Sequence, residues 1–290
     1  MEPTEMENSG TFTNHHGLKI FYRNWNSNNA PKGIVIIVHG LNSHSGYYQN
    51  FAKALNEIDF EVFAIDIFGR GKSEGERYYI SNYFDVLLDI DQLVAISKAS
   101  YPALPLFILG HSAGGVFASV YAIHHQYKFD GLISESLAFQ IPVPNFAISV
   151  IKFLSHFIPH LKLIKLRNED FSRDKFIVEN MNNDPFIRNE RQPIKTMQQL
   201  FLAAEYLRQE VSKITLPILV LHGTADHATK PSGSEYLVNY CSSTEKQLKL
   251  YEGHYHDLIN DKYNGIVIRD IIRWLNIRTT HTGIALYSST

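Results

Sequence analysis

Short, continuous runs of apolar and β-branched residues recur along the chain, each closed by a turn residue. They are Gly33–Gly40, Glu61–Gly69, Pro105–Ser112, Gly131–Ser136 and Leu216–Gly223. A strand exposed on one face alternates apolar and polar residues, so unbroken runs predict strands buried on both faces, as in a parallel sheet. Between the runs, apolar residues fall three and four apart. Val86, Leu87, Ile90, Leu93 and Val94 form one such stripe; Val116, Phe117, Val120 and Tyr121 a second; Val267, Ile271, Trp274 and Leu275 a third. That spacing predicts helices with one buried side. Strand and helix in alternation predict an α/β fold with a mostly parallel, doubly wound sheet. Leu18–Trp25 reads as an earlier strand, expected to add an antiparallel edge.

The rhythm breaks from about Ile141 to about Glu210. No strand-like run occurs there, only helical pattern punctuated by Pro142, Pro144, Pro159, Pro185 and Pro193. The stretch is too long for a crossover and predicts a helical cap over the C-terminal strand edge, where open α/β sheets bind ligands. Its first part is densely apolar, with Phe146, Ile148, Val150, Ile151, Phe153, Leu154, Phe157 and Ile158. The expected organisation is therefore a core in two parts, 1–140 and 211–278, a cap at 141–210, and a tail at 279–290.

Composition narrows the function classes. Of 290 residues, 44% are hydrophobic and 19% charged, enough to bury a large core. Lys+Arg 27 against Asp+Glu 29 gives a net charge of −2, and no basic stripe is present, which argues against nucleic acid as a partner. The single cysteine, Cys241, excludes an intrachain disulfide framework and a Cys-rich zinc site, and permits a reducing compartment. The acidic, polar start MEPTEMENSG carries no secretory pattern, and no apolar run approaches the ~20 residues of a membrane span. The expectation is a cytoplasmic protein, with peripheral membrane contact through the cap left open and the oligomeric state undetermined.

The sharpest chemical signal is Gly110-His111-Ser112-Ala113-Gly114, a G-x-S-x-G between a predicted strand and a predicted helix. Glycines two before and two after a serine admit the crowded backbone of a tight strand-to-helix turn, and the helix N-terminus offers amides to an oxyanion. A serine hydroxyl needs a base, and the base an orienting acid. Asp226 lies just beyond a late strand, with Asp257 and Asp261 as weaker rivals. His254 and His256 both follow the last strand, and His256, 30 residues after Asp226, is favoured. The amides of Ala113 and of Leu41, which follows the strand-ending His39-Gly40, are candidates for the oxyanion hole. A metal-dependent hydrolase could instead draw on His39, His222, His254, His256 and Asp257, without a recognisable ligand spacing. The Gly69–Ser73 turn lacks the spacing of a phosphate-binding loop.

Six blocks in order resemble the α/β-hydrolase superfamily and, within it, the monoacylglycerol lipase and lysophospholipase group: HGLNSHSGYY at 39–48, DIFGRGKSEGERYYIS at 66–81, LPLFILGHSAGG at 104–115, FSRDKFIVENMNNDP at 171–185, LPILVLHGTAD at 216–226 and KLYEGHYHDLIND at 249–261. The resemblance implies Ser112 as nucleophile, Asp226 as acid, His256 as base, Leu41 and Ala113 as oxyanion donors, a helical cap, and no cofactor or metal. It implies a small acyl ester as substrate, a monoacylglycerol, lysophospholipid or simple ester. Thioesterase or peptidase activity on the same triad and a non-catalytic binding role are the alternatives. Ser43, Tyr47 and Ile259 stand where animal members of the group carry Glu, Arg and His. With Phe146, they are the expected pocket residues, and their lost charge predicts indifference to a glycerol head group.

Overall fold

The computed structural model describes residues 7–142 and 144–279. The chain runs β1 (Glu7–Thr13), β2 (Lys19–Trp25), β3 (Gly33–Val38), α1 (Gln49–Asn56), β4 (Phe60–Ile65), α2 (Tyr83–Ser100), β5 (Leu106–His111), α3 (Ala113–His125), β6 (Gly131–Glu135), α4 (Asn145–Leu154), β7 (Lys162–Ile164), α5 (Lys175–Asn183), β8 (Gln192–Pro193), α6 (Ile194–Glu210), β9 (Ile218–Gly223), α7 (Pro231–Tyr240), β10 (Lys246–Tyr251) and α8 (Gly265–Thr279).

Eight strands form one sheet in the order β1-β2-β4-β3-β5-β6-β9-β10. The pairings of β1 with β2 and of β2 with β4 are antiparallel, and the others are parallel. Alternate residues of the central strands serve opposite cores. Ile34, Ile36 and Val38 join α2 and α3 on one face; Val35 and Ile37 join α1 and α8 on the other. Both faces are dry, which is why these runs do not alternate with polar residues. The strand at 19–25 is not the edge expected from sequence. It pairs with β4 on one side and with β1 on the other, and β1 is the edge.

The segment inserted after β6 departs from the expected all-helical cap. It contains a small antiparallel ribbon, β7 with β8, between α4 and α6. Its last helix, α6, packs against α3 and buries Met197, Leu200, Ala203 and Leu207 in the main core, so the stretch to residue 210 includes a core helix. α4 has two apolar faces. Ile148 and Ile151 pack against the core, while Phe146, Val150 and Phe153 are exposed at the i, i+4, i+7 spacing of the opposite stripe. Among the described residues, no helix is long and apolar enough to cross a membrane. The start of the chain through residue 6 and residues 280–290 of the expected tail lie outside the described residues.

Candidate active site

Ser112 follows β5 and caps α3 at φ 56° and ψ −118°, a backbone conformation that a serine adopts only when its surroundings impose it. The turn leaves no room at its flanks. A Cβ on Gly110 would come 2.5 Å from the Gly114 carbonyl, and one on Gly114 would collide with the carbonyl of Val38. The hydroxyl is thereby held at the C-terminal edge of the sheet, at the head of the helix.

His256 and Asp226 come from the loops after β10 and β9, and parallel pairing of these strands brings the loops together. The Ser112 Oγ lies 2.8 Å from His256 Nε2, and His256 Nδ1 lies 2.7 Å from Asp226 Oδ2. His256 is 1% exposed. Asp226 Oδ1 accepts from the Ala228 and Thr229 amides at 2.8 and 2.9 Å, and Oδ2 from the Thr229 hydroxyl at 2.8 Å. His222 Nε2 approaches the same Oδ2 at 3.0 Å, and its Nδ1 lies 2.7 Å from Ser234 Oγ. Burial pushes the Asp226 carboxyl upward, but the charge and hydrogen bonds of His256 and His222 outweigh it and hold the group well below the usual carboxylate range.

The rival residues have other partners. His254 is buried with Nδ1 3.8 Å from Asp261 Oδ2. Asp261 accepts from the backbone amides of Arg173 and Tyr255 and from the Arg173 guanidinium, tying the cap to the loop that carries His256. Asp257 accepts from the Asn260 amide and faces Glu135 in a closed interior, where burial pushes Asp257 up to about 6. Burial and then Asp257 raise Glu135 well above its ordinary value. The set His39, His222, His254, His256 and Asp257 does not converge on one point. The groups of such side chains within ligating range, among the described residues, are His111 with Glu135 and Asp257, and His15 with His16 and Asp85. His111 is fully buried against the ring of His256, and burial lowers it well below the ordinary histidine value.

His39 fixes the next strand end. Its Nδ1 donates to the Gly40 carbonyl at 2.6 Å, and its Nε2 accepts from the Ile67 amide at 3.1 Å. Both bonds require the neutral ring, and burial lowers its pKa to about 4. Gly40 abuts Ser112, since a Cβ there would lie 2.8 Å from the Ser112 Cβ. Leu41 and Ala113 thus meet at the serine, and both line the cavity above it.

That cavity, of about 400 Å³, has Ser112 and His256 on its floor. Its walls are apolar: Ile151, Ile164 and Leu166 from the cap, and Met197, Leu200 and Phe201 from α6. Phe171 sets its ring edge-on to His256 at 4.9 Å. Lys165, Arg167, Asp170, His227 and Thr229 add polar groups to the lining.

None of the four expected pocket residues lines this cavity. Ser43 is buried beside the Tyr48 phenol. The Tyr47 hydroxyl donates to Asp184 at 2.9 Å, with His44 on the same carboxylate, so it fastens the cap rather than a ligand. Ile259 is 1% exposed in the opposite core, and its amide donates to Glu135 at 3.0 Å. Phe146 is 72% exposed on the outer face of α4. The α6 wall was legible only as a helical stripe, Met197, Leu200, Phe201 and Ala204 at 3- and 4-residue spacing. His222 drew attention as a metal candidate and is a partner of Asp226 instead.

Known proteins share this architecture. The model of the hydrolase family described as serine aminopeptidase, S33, matches residues 29–263. Human monoglyceride lipase is 34% identical over 277 residues, covering 94% of this chain and 91% of that protein. The monoacylglycerol lipase of Mycolicibacterium smegmatis is 28% identical, covering 91% of this chain and 95% of that one. The crystal structure of Paleococcus ferrophilus monoacylglycerol lipase superposes with a TM-score of 0.81 at 30% identity, covering 90% of this chain and 99% of that one. The likeness spans the sheet, the elbow and the loops that meet there, and the chain belongs to the serine aminopeptidase S33 family of α/β-hydrolases, as a monoacylglycerol lipase-like serine ester hydrolase.

Proposed function

We propose that the chain hydrolyses lipid-derived carboxylic esters, monoacylglycerols foremost, through an acyl-enzyme on Ser112. The observation that carries the reading is the unbroken hydrogen-bond line from Ser112 through His256 to Asp226, set on the floor of an apolar cavity.

The acyl chain lies along the apolar wall, which rewards each buried CH₂ by up to ~0.8 kcal/mol until the space is filled. His256 Nε2 takes the Ser112 proton as Oγ attacks the ester carbonyl, and Asp226 orients the ring and balances its charge. The Leu41 and Ala113 amides receive the oxyanion at the elbow, where the start of α3 adds its dipole. The protonated His256 passes its proton to the leaving alcohol. Water then repeats the cycle on the acyl-enzyme and frees the acid. No step calls on a cofactor.

Lys165, Arg167 and Asp170 offer charge to the hydroxyls of a glycerol-type leaving group. The names of the relatives, monoglyceride and monoacylglycerol lipases, support this head group. On the outside of the cap, Phe146, Val150, Phe153 and Phe157 are exposed together. We read this face as the side that meets a lipid surface, from which the substrate enters.

A substrate panel combined with three variants tests the reading. Monoacylglycerol, lysophosphatidylcholine, simple p-nitrophenyl esters, an acyl thioester and an aminoacyl p-nitroanilide are compared at equal concentration. The esters should turn over fastest, and Ser112→Ala and His256→Ala should each lower kcat on the order of 10⁴ to 10⁶ with the fold intact. Asp226→Asn should lower it about 10⁴-fold by favouring the wrong tautomer. Retention of a tenth of the activity in Ser112→Ala defeats the triad assignment. Faster turnover of the anilide or thioester defeats the ester assignment.

A further inference from the structure

Among the described residues, two groups of histidine and carboxylate side chains have potential ligand atoms close enough to share a metal ion. His111, Glu135 and Asp257 are sealed beneath the elbow. His15 and His16 are exposed and Asp85 is buried beside them, where the β1–β2 turn meets the start of α2.

The turn explains why two neighbouring histidines face the same way. In a strand, consecutive side chains point to opposite faces. Here Asn14 Oδ1 accepts from the amides of His16 and Leu18, at 3.0 and 3.1 Å, and Gly17 takes a left-handed φ of 76°. The chain folds back, and the two imidazole rings come to 3.9 Å between centroids. Asp85 is buried and receives them one on each oxygen. His15 Nε2 lies 3.1 Å from Oδ1 and His16 Nε2 3.1 Å from Oδ2. The histidines keep 38% and 49% of their side-chain surface exposed, so an ion can reach them.

Beneath them a second carboxylate is left over. Asp89, one helical turn beyond Asp85, is 1% exposed. Its Oδ2 meets the Asn14 amide at a long 3.5 Å, and its Oδ1 has no hydrogen-bond partner among the described residues. The two acids face Asn14, His15, His16 and Ser81, with no lysine or arginine among these contacts.

We propose that His15, His16 and Asp85 bind one divalent ion of the zinc class. Ligands at ~2.0–2.2 Å from a tetrahedral ion stand about 3.3 Å apart, so the two 3.1 Å nitrogen–oxygen separations need to open only slightly, and all three ligand atoms lie within 4.8 Å of one another. Each ring offers the Nε2 lone pair, with its proton carried on Nδ1. Asp85 supplies oxygen and water fills the open position, while Asp89 lies behind with an oxygen that has no hydrogen-bond partner among the described residues. Imidazole nitrogens select Zn²⁺, Co²⁺ or Ni²⁺ over Mg²⁺ or Ca²⁺. The ion staples the β1–β2 turn to α2.

The test uses the untagged full chain, stripped with chelator and titrated with Co²⁺ and Zn²⁺. Wild type should take up one Co²⁺ with visible d–d absorption, and Zn²⁺ should displace it and raise Tm. His15→Ala and His16→Ala should each weaken Co²⁺ binding tenfold or more, and Asp85→Asn likewise. His124→Ala, from the other adjacent histidine pair, should leave it unchanged. Ester hydrolysis by His15→Ala should match wild type, which separates this proposal from the triad reading. Absence of stoichiometric Co²⁺ uptake overturns the proposal. So does equal binding by wild type and His16→Ala, which would place the ion among other histidines.

Discussion

His222 Nε2 lies 3.0 Å from the same Asp226 oxygen that His256 approaches at 2.7 Å. The carboxylate is thus gripped from both sides and is part of a longer line, Ser234–His222–Asp226–His256–Ser112.

His222→Gln should lower kcat about 10- to 100-fold with little change in KM, because the acid is mispositioned while substrate contacts remain. Loss of the His222 hydrogen bond also lets the Asp226 pKa rise from its depressed position. Even its ordinary value would leave Asp226 ionised at pH 5 and above, so the loss should be the same at pH 6 and pH 8. Unchanged kcat would mean that His222 only fills space.

The α6 wall should set acyl-chain length. Leu200→Trp adds bulk to the cavity and should shift the best ester to a shorter chain, with each excluded CH₂ worth up to ~0.8 kcal/mol. Phe146→Ser, on the outer face of α4, should leave hydrolysis of a soluble short ester unchanged and slow hydrolysis of a vesicle-embedded monoacylglycerol. Equal effects of Phe146→Ser on both substrates would refute the outward-facing role.

Head-group preference should depend on the polar cavity residues rather than on Ser43, Tyr47 or Ile259, none of which reaches the cavity. Asp170→Ala should lower kcat/KM for a monoacylglycerol about tenfold relative to a p-nitrophenyl ester of the same acyl length, or ~1.4 kcal/mol of discrimination. Equal losses on both substrates would show that the glycerol hydroxyls are not read there.

Asp257 should make the protein less stable as pH rises. Its folded pKa of about 6 lies above the ordinary aspartate value, so between about pH 4 and pH 6 the folded chain holds a proton that the unfolded chain has released. Its stability contribution falls across that window, by roughly 3 kcal/mol at most. Asp257→Asn removes the titration, so its stability relative to wild type should rise from pH 4 to pH 7 in urea denaturation. Parallel pH–stability curves would show that Asp257 does not titrate there.

The central strands were legible because burial on both faces leaves an apolar run of five or six residues with turn chemistry at its end. β1, ENSGTFT, was not, because Phe12 is its one buried apolar side chain and an edge strand can remain polar. The β7–β8 ribbon was equally silent, since pairs of three and two residues carry no periodicity. The misplaced pocket residues have a different cause. Position within a motif locates a residue along the chain, and Tyr47 and Ile259 do sit near the site, but Tyr47 turns to Asp184 and Ile259 to the opposite core.

By itself, the sequence determined the alternation of strand and helix, the serine at a glycine-flanked turn, and two later loops bearing an acid and competing histidines. These are local properties, set by hydrophobic period and by backbone crowding over a few residues. Only the tertiary structure brought His256 rather than His254 against Ser112, set His222 against Asp226, turned Phe146 outward and lined the cavity with α6. Each depends on which side chain faces which across parallel strands and an inserted cap. That facing is set by packing between segments far apart in the chain, 144 positions in the case of Ser112 and His256.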